Sequence, residues 1–329
     1  MDTDVLYNPF EDFRFDNETC FLSGQPLQSA EEQIPVFPDW LMRKFDIEDK
    51  PFKLLDGSHC TYKQLQLPCT AAVADRFSDL DERVENAFEK GYEEVMELDR
   101  ITLFQWVARI VYGVVFNEIQ VGVHQQLLSG EAMNFSQVLV HKFKNLHLML
   151  QSLIKPVQFD GTPFTMVVVQ VDNPADTFNY RDEINTLVYS LRMNDFGLIA
   201  CLQDNGANGA YHEAFVVPLT GRRLHPIQFE ELCARFFYSA YLFNRLPTYT
   251  VMPTAEQIYI EPMPLMDMSM KPIFDPWQVK TYGQVLENFW KPWGYTLFEI
   301  IKDPENPMSF LSDEHGKPID AAEIALANG

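Results

Sequence analysis

The chain has 329 residues, more than a single hydrophobic core usually holds, so one large or two medium domains are expected. Its 47% hydrophobic and 13% aromatic residues exclude an intrinsically disordered chain. The 25 basic and 47 acidic residues give a net charge of −22, which repels phosphate backbones and anionic lipids and so disfavours nucleic-acid and membrane partners.

The cysteines and the first residues indicate the compartment. Five cysteines without regular spacing are typical of free thiols in a reducing environment. The acidic stretch from Met1 to Cys20 lacks the apolar core of a signal peptide. We therefore expect a soluble, cytoplasmic protein.

The first half of the chain is predicted to be irregular and then helical. Up to about Leu55 it is rich in proline, aspartate and aromatic rings, and a short helix is expected at Pro38. An amphipathic pattern then predicts a long helix that Gly91 interrupts. The next apolar run contains Gln105 and Arg109 and is shorter than a membrane span, so we expect a buried core helix. The three long helices are predicted at 70–99, 101–119 and 135–154.

After Pro156 the hydrophobic period becomes two, which predicts strands. The polar run 204–209 contains two Asn-Gly-type turn signals and is expected to join the last two strands into an antiparallel hairpin. The polar cluster 179–183 is interpreted as turn residues. The predicted strands are 163–172, 184–193, 197–203 and 211–219.

The last third is predicted to return to helices. Pro226 is expected to open a helix that runs to Phe243, because proline is favoured at the first helical position. Three domains are predicted, and the last is expected to be a loosely packed, proline-containing tail. Further predicted elements are strands at 249–252 and 257–261 and a helix at 282–290; the predicted domain limits are 1–125, 126–302 and 303–329.

The best-marked enzyme signatures are missing from the chain. It contains no G-x-G-x-x-G, no phosphate-binding lysine loop, no G-x-S-x-G and no H-E-x-x-H. Another pattern of cysteines and aromatic residues is present in its first third. The segments that carry it are CFLSG at 20–24, VFPDWL at 36–41, LPCTAA at 67–72, LDE at 80–82 and WVARIVYG at 106–113.

In order and approximate spacing, these segments resemble the HNH-type (treble-clef) endonuclease superfamily. In that pattern a C-x-x-C-G knuckle precedes E-H-x-x-P-x-W-L, and a C-x-x-C-N knuckle leads into a helix that carries L-E. The resemblance covers residues 17–115. We call 20–24 the first knuckle segment and 69–72 the second knuckle segment.

The resemblance implies a structural zinc ion held by four thiolates, and this chain keeps only half of them. Cys20 and Cys69 remain as vestigial candidates, whereas Ser23 and Ala72 occupy the other two positions. Cys60 and His59 are weaker candidate ligands, because neither has knuckle spacing. We therefore expect no cofactor, with zinc as the alternative.

The resemblance also implies a catalytic histidine that acts as general base, and the chain lacks it. Alignment on Pro38-x-Trp40-Leu41 places Pro35 at that position, and proline cannot accept a proton. Glu31 and Glu32 lie a few residues away and are candidates only for a displaced metal site.

We therefore expect an α+β fold with a loop-rich, treble-clef-like N-terminus, a helical middle, and an antiparallel sheet covered by C-terminal helices. The favoured function is a non-catalytic interaction or regulatory protein on a decayed nuclease-like scaffold. Its acidic surface is expected either to meet a protein partner that presents a basic face or simply to keep the protein soluble. One alternative is a metal-dependent endonuclease in which Glu31, Glu32, His59 or Cys60 has taken over. Another is a small-ligand binding module that uses the concave face of the sheet.

Overall fold

The fold was obtained as a computed structural model, which describes residues 6–29, 32–129, 136–174, 176–266, 269–324 and 326, except for the side chains of 126–129. Helices and strands occur together, and the α+β prediction is confirmed. The α-helices are α1 (Asp39–Lys44), α2 (Ala71–Lys90), α3 (Tyr92–Glu97), α4 (Arg100–Ser129), α5 (Gln137–Leu150), α6 (Ala207–Tyr211), α7 (Glu213–Val216), α8 (Pro226–Leu242), α9 (Val279–Trp290) and α10 (Leu297–Ile300). The strands are β1 (Gln33–Pro35), β2 (Pro51–Lys53), β3 (His59–Thr61), β4 (Gln66–Pro68), β5 (Val157–Phe159), β6 (Thr165–Val171), β7 (Phe178–Glu183), β8 (Val188–Met193), β9 (Phe196–Cys201), β10 (Arg223–Leu224), β11 (Tyr249–Pro253) and β12 (Ile258–Pro262).

The long helices of the first half follow the sequence prediction. Gly91 adopts a φ of +95°, a conformation that ends α2 before α3 begins. Every residue of α4 from Thr102 to Phe116 is buried, so the apolar run is the core helix that was expected. No helix in the described part of the chain is long and apolar enough to cross a membrane.

The chain folds into two compact units whose segments alternate along the sequence. The first unit comprises 1–89, 98–162 and 246–263, and the second comprises 90–97, 163–245 and 264–329. The units do not coincide with the contiguous domains predicted at 1–125 and 126–302. β12 pairs with β5 of the first unit and β11 pairs with β12, although both strands follow residues 163–245 of the second unit.

The first unit combines α2, α4 and α5 with short strand pairs. β1 pairs antiparallel with β4, and β2 pairs antiparallel with β3. Its loops are held by buried rings: Phe21 stacks on Phe77 at 5.9 Å and on Tyr112 at 6.1 Å, and Trp40 stacks on Trp106 at 6.2 Å. Each such ring contributes on the order of 2 kcal/mol by burial.

The second unit is built on a five-stranded sheet in the order β10-β6-β9-β8-β7. Pairing is antiparallel except between β10 and β6. α8 packs on the sheet, and Gly197 of β9 lets the ring of Phe229 approach: a Cβ at Gly197 would lie 2.2 Å from that ring. Every residue of β8 and β9 is buried, so these strands offer no open concave face to a ligand.

The strand predicted at 211–219 is wrong, and so is the hairpin leading to it. That region forms α6, α7 and a 3-10 turn at Val217–Leu219. Buried Asp204 accepts hydrogen bonds from the backbone N–H groups of Gly206 (3.1 Å) and Asn208 (2.9 Å), which caps a helix where a hairpin turn was expected.

Two further predictions are corrected at the edge of the sheet and in the tail. The polar cluster 179–183 lies inside β7, and the strand predicted at 184–193 begins only at Val188, after a turn in which Leu187 has a φ of +55°. The tail from 303 is held at its centre, where Leu311 is buried and its N–H donates to Glu231 (3.2 Å).

Candidate functional site

The two knuckle segments meet in the first unit at the start of α2. The N–H of Phe21 donates to the carbonyl of Pro68 over 2.8 Å. Cys20 and Cys69, the neighbours of these two residues, are therefore close together, and both are buried.

The side chains at this junction do not fit a structural zinc ion. Half-exposed Ser23 and exposed Ala72 supply no thiol at the other two positions. Burial, and then the charge of Cys20, raises the pKa of Cys69 to about 12, so this sulfur is a protonated thiol near neutral pH. Within the part of the chain that the structure describes, no group of three or more His, Cys, Asp or Glu side chains is placed to hold a metal ion.

The weaker candidate ligands are not brought to this junction. Cys60 lies on β3 opposite Phe52, where burial and the charge of Glu118 raise its pKa. His59 precedes it on the same strand and is exposed. Glu32 does lie beside the second knuckle segment, because its carbonyl accepts the N–H of Cys69 (3.0 Å). Glu31 lies outside the described residues.

A buried arginine contacts the backbone of Pro35. Arg109 of α4 is 1% exposed, and its Nη2 donates to the carbonyl of Pro35 over 2.6 Å. Its Nη1 donates to Asp81 Oδ2, also over 2.6 Å, in an ion pair whose carboxylate side is 20% exposed. Burial raises the pKa of Asp81, whereas the guanidinium lowers it. This arrangement fixes β1 against α2 and α4.

The sequence analysis identifies both residues of this ion pair but does not predict that they pair. Arg109 was noted as a charge inside an apolar run, and Asp81 as part of the LDE segment. A charge in a core helix needs an opposite charge nearby, because an unpaired buried ion costs several kcal/mol. The available signal for this pairing was the position of Asp81 directly after the buried Leu80 on α2.

The second unit contains a buried serine–histidine contact that resembles a catalytic pair but cannot act as one. His212 Nε2 lies 2.9 Å from Ser239 Oγ and 3.1 Å from the carbonyl of Arg235. A ring nitrogen that faces a carbonyl carries the proton, so it donates to the serine and cannot deprotonate it. Ser239 instead donates to Asn208 over 2.6 Å, and both Ser239 and His212 are at most 1% exposed.

A second buried cluster in this unit joins α8 to β7 and β8. Glu230 accepts a hydrogen bond from Asn179 over 2.6 Å and pairs with Arg181 and Arg192, each at 3.4 Å. Burial raises the pKa of Glu230, and the two arginines lower it. These contacts explain why β7 is polar on the side that faces α8. Because of this polarity, β7 lacks the alternating apolar pattern that predicts a strand.

Comparisons with family models, curated proteins and solved structures found no match to this chain. Its function is therefore inferred from its own residues.

Proposed function

We propose that this chain is a non-catalytic interaction protein whose first unit keeps the frame of an HNH-type nuclease without the metal and the base. The observation that carries the proposal is the junction of the two knuckle segments, where Cys20 and Cys69 come together but Ser23 and Ala72 replace the remaining ligands. Pro35 at the base position, bound by Arg109, supports it further. Buried rings supply the stability that zinc gives such small loops.

The charge of the chain favours a partner of opposite sign. A net charge of −22 attracts a face rich in lysine and arginine over a distance set by the ionic strength. Association with such a partner should weaken steeply as salt is added, because charges at the rim of an interface are screened. Native co-purification at low salt should recover a stoichiometric partner that salt releases, and a partner retained equally at high salt would contradict this charge argument.

The nuclease-like frame can be tested by restoring its zinc ligands. The double variant Ser23→Cys/Ala72→Cys places four cysteines at knuckle spacing, and we expect it to bind about one zinc ion per chain. Metal binding should raise its thermal stability, and a chelator should reverse the gain. Elemental analysis and thermal melting of the tag-free protein provide the two measurements.

A matched control places the same two substitutions away from the junction. Ser78→Cys/Ala255→Cys adds as many thiols at two exposed positions, inside α2 and between β11 and β12 respectively, and should not bind zinc stoichiometrically. If both double variants fold and neither binds zinc, the knuckle segments do not form a zinc frame and the resemblance is wrong.

The absence of catalysis is tested on the unmodified chain. With magnesium, manganese or zinc ions, we expect no cleavage of supercoiled or linear DNA. Cleavage that a chelator abolishes, and that survives removal of contaminating nucleases, would contradict the proposal and favour the displaced metal site.

A further inference from the structure

The second unit contains an aromatic groove between α8 and α9, closed at one end by the turn that joins β7 to β8. Its cavity measures about 490 Å³, within the range of small-molecule sites. Phe237 and Tyr241 lie one helical turn apart on α8, and Val285 and Phe289 lie one turn apart on α9. Together these side chains form two facing apolar stripes.

The rings of this groove differ in exposure, because Phe289 is buried and Tyr241 is not. Tyr241 is 74% exposed, an unusual fraction for a large aromatic side chain. The ring of Phe237 meets that of Phe289 edge to face, with centroids 5.3 Å apart and planes at 67°. A ligand in the groove would therefore contact the face of an exposed tyrosine and the side of a preformed aromatic pair.

A carboxylate is the charged group that lines the groove. Glu183 Oε1 accepts hydrogen bonds from the N–H (3.1 Å) and the side-chain amide (2.7 Å) of Asn185, which fix the carboxylate at the rim. Its Oε2 makes no hydrogen bond or ion pair with the described residues. The nearby Arg181 is directed to Glu230 at 3.4 Å, a carboxylate that it shares with Arg192.

The aromatic side chains of this helix pair already bind cations within the protein. The guanidinium of Arg181 lies 4.5 Å from the centroid of Phe289, and that of Arg235 lies 5.3 Å from the centroid of Tyr282. Contacts of this kind stabilise a cation through the negative face of the ring, and they gain strength when the cation leaves water.

We propose that the groove binds a small organic cation, an ammonium group carried on an aromatic or aliphatic body. The apolar body fills the space between the two helical stripes, and the ammonium group lies against the ring of Tyr241 and pairs with Glu183 Oε2. The net charge of −22 raises the local concentration of cations and disfavours anions of the same shape. This site belongs to the second unit and does not depend on the nuclease resemblance.

The proposal is tested with three probes that share a phenyl ring and differ in charge. The full-length chain is titrated with 2-phenylethylammonium, 2-phenylethanol and 3-phenylpropanoate, and binding is followed by ligand-observed NMR and calorimetry. We expect about millimolar affinity for the cation, as for other ligands of this size. The alcohol should bind roughly five-fold more weakly, and the carboxylate more weakly still.

Two variants separate the contributions of the ring and the carboxylate. Tyr241→Ala should weaken the cation and the alcohol alike, whereas Glu183→Gln, which keeps an acceptor for Asn185, should remove the preference for the cation and leave the alcohol unchanged. Phe298→Ala is the control, because Phe298 is 77% exposed and lies on α10 outside the groove. Equal binding of all three probes, no binding of the cation, or the same loss in Phe298→Ala as in Tyr241→Ala would overturn the proposal.

Discussion

At the scale of single residues, Arg109 shows how a buried charge stabilises a core without contributing to chemistry. Its guanidinium joins Asp81 of α2 to the carbonyl of Pro35, so three separate segments depend on one side chain. The pair itself gains little over apolar residues of the same volume, because its desolvation offsets the attraction. Losing one partner is costly, because the other then remains charged or unsatisfied in a place with little water.

The substitution Arg109→Met tests this asymmetry. We expect the free energy of unfolding to fall by about 3 kcal/mol, because Asp81 and the Pro35 carbonyl lose their donor. The double variant Arg109→Met/Asp81→Leu should recover much of that loss, because it removes the unpaired carboxylate. Urea unfolding followed by tryptophan fluorescence measures both variants.

The control for this pair is Arg76→Met, which removes an exposed arginine from α2. Its effect should stay within about 0.5 kcal/mol. An Arg109→Met variant that loses no more stability than Arg76→Met would show that the ion pair does not hold β1 to the helices.

At the scale of elements, the sequence was informative where one physical signal dominated. The amphipathic pattern of α2, the apolar run of α4 and Pro226 at the start of α8 each predicted a helix that the structure contains. The prediction was wrong for 211–219, because alternating apolar residues also suit short helices that pack on a core, and local spacing does not distinguish the two cases.

The other errors depend on contacts between residues distant in sequence. β7 was assigned to turns because its polar side chains Asn179 and Arg181 are satisfied by Glu230, which is 51 positions after Asn179. Asp204 appeared to be a turn residue, yet Thr165 donates to it over 2.6 Å and the pair is buried. A strand partner or a buried capping carboxylate of this kind is fixed by tertiary packing, which overrides local propensity.

The contact between α8 and the sheet permits a prediction for a whole element. Gly197→Ala would place a Cβ 2.2 Å from the ring of Phe229, so either the ring or the helix must move. We expect a loss of about 2 kcal/mol, the usual cost of overpacking a filled core. Chemical denaturation of the purified variant measures this loss.

The matched partner of this variant is Phe229→Leu. By itself it should cost about 1 kcal/mol, because it removes part of a buried ring, but in the Gly197→Ala background it should restore stability by giving room to the new methyl group. Simple addition of the two losses would show that the close approach of β9 and α8 does not limit packing at this point.

At the scale of the whole molecule, a charge of −22 and a set of buried titratable groups make stability depend on pH in opposing ways. Protonation of surface carboxylates in acid lessens their mutual repulsion. Asp182 acts in the same direction: burial raises its pKa from 3.8 to about 6, so the folded chain takes up this proton before the unfolded chain does. As the pH falls through about 6 towards 3.8, this group adds stability.

Two buried histidines act in the opposite direction, one in each unit. Burial lowers the pKa of His147 from 6.5 to about 4, and burial together with the nearby Arg235 lowers that of His212 to the same value. Between these two values the unfolded chain binds a proton that the folded chain does not. The contribution of the two neutral rings to the free energy of unfolding is therefore complete above pH 6.5 and is lost as the pH falls towards 4.

This difference leads to a prediction about the slope of stability against pH. Between about pH 6 and pH 4.5 each histidine should remove up to about 1.4 kcal/mol per pH unit from the unit that contains it. His147→Gln should flatten the slope for the first unit and His212→Gln that for the second, although both variants also lose hydrogen bonds at neutral pH. His315→Gln is the control, because this side chain is 81% exposed. Urea unfolding at several pH values gives the slopes, and a slope unchanged in both histidine variants would mean that neither buried ring couples folding to protons.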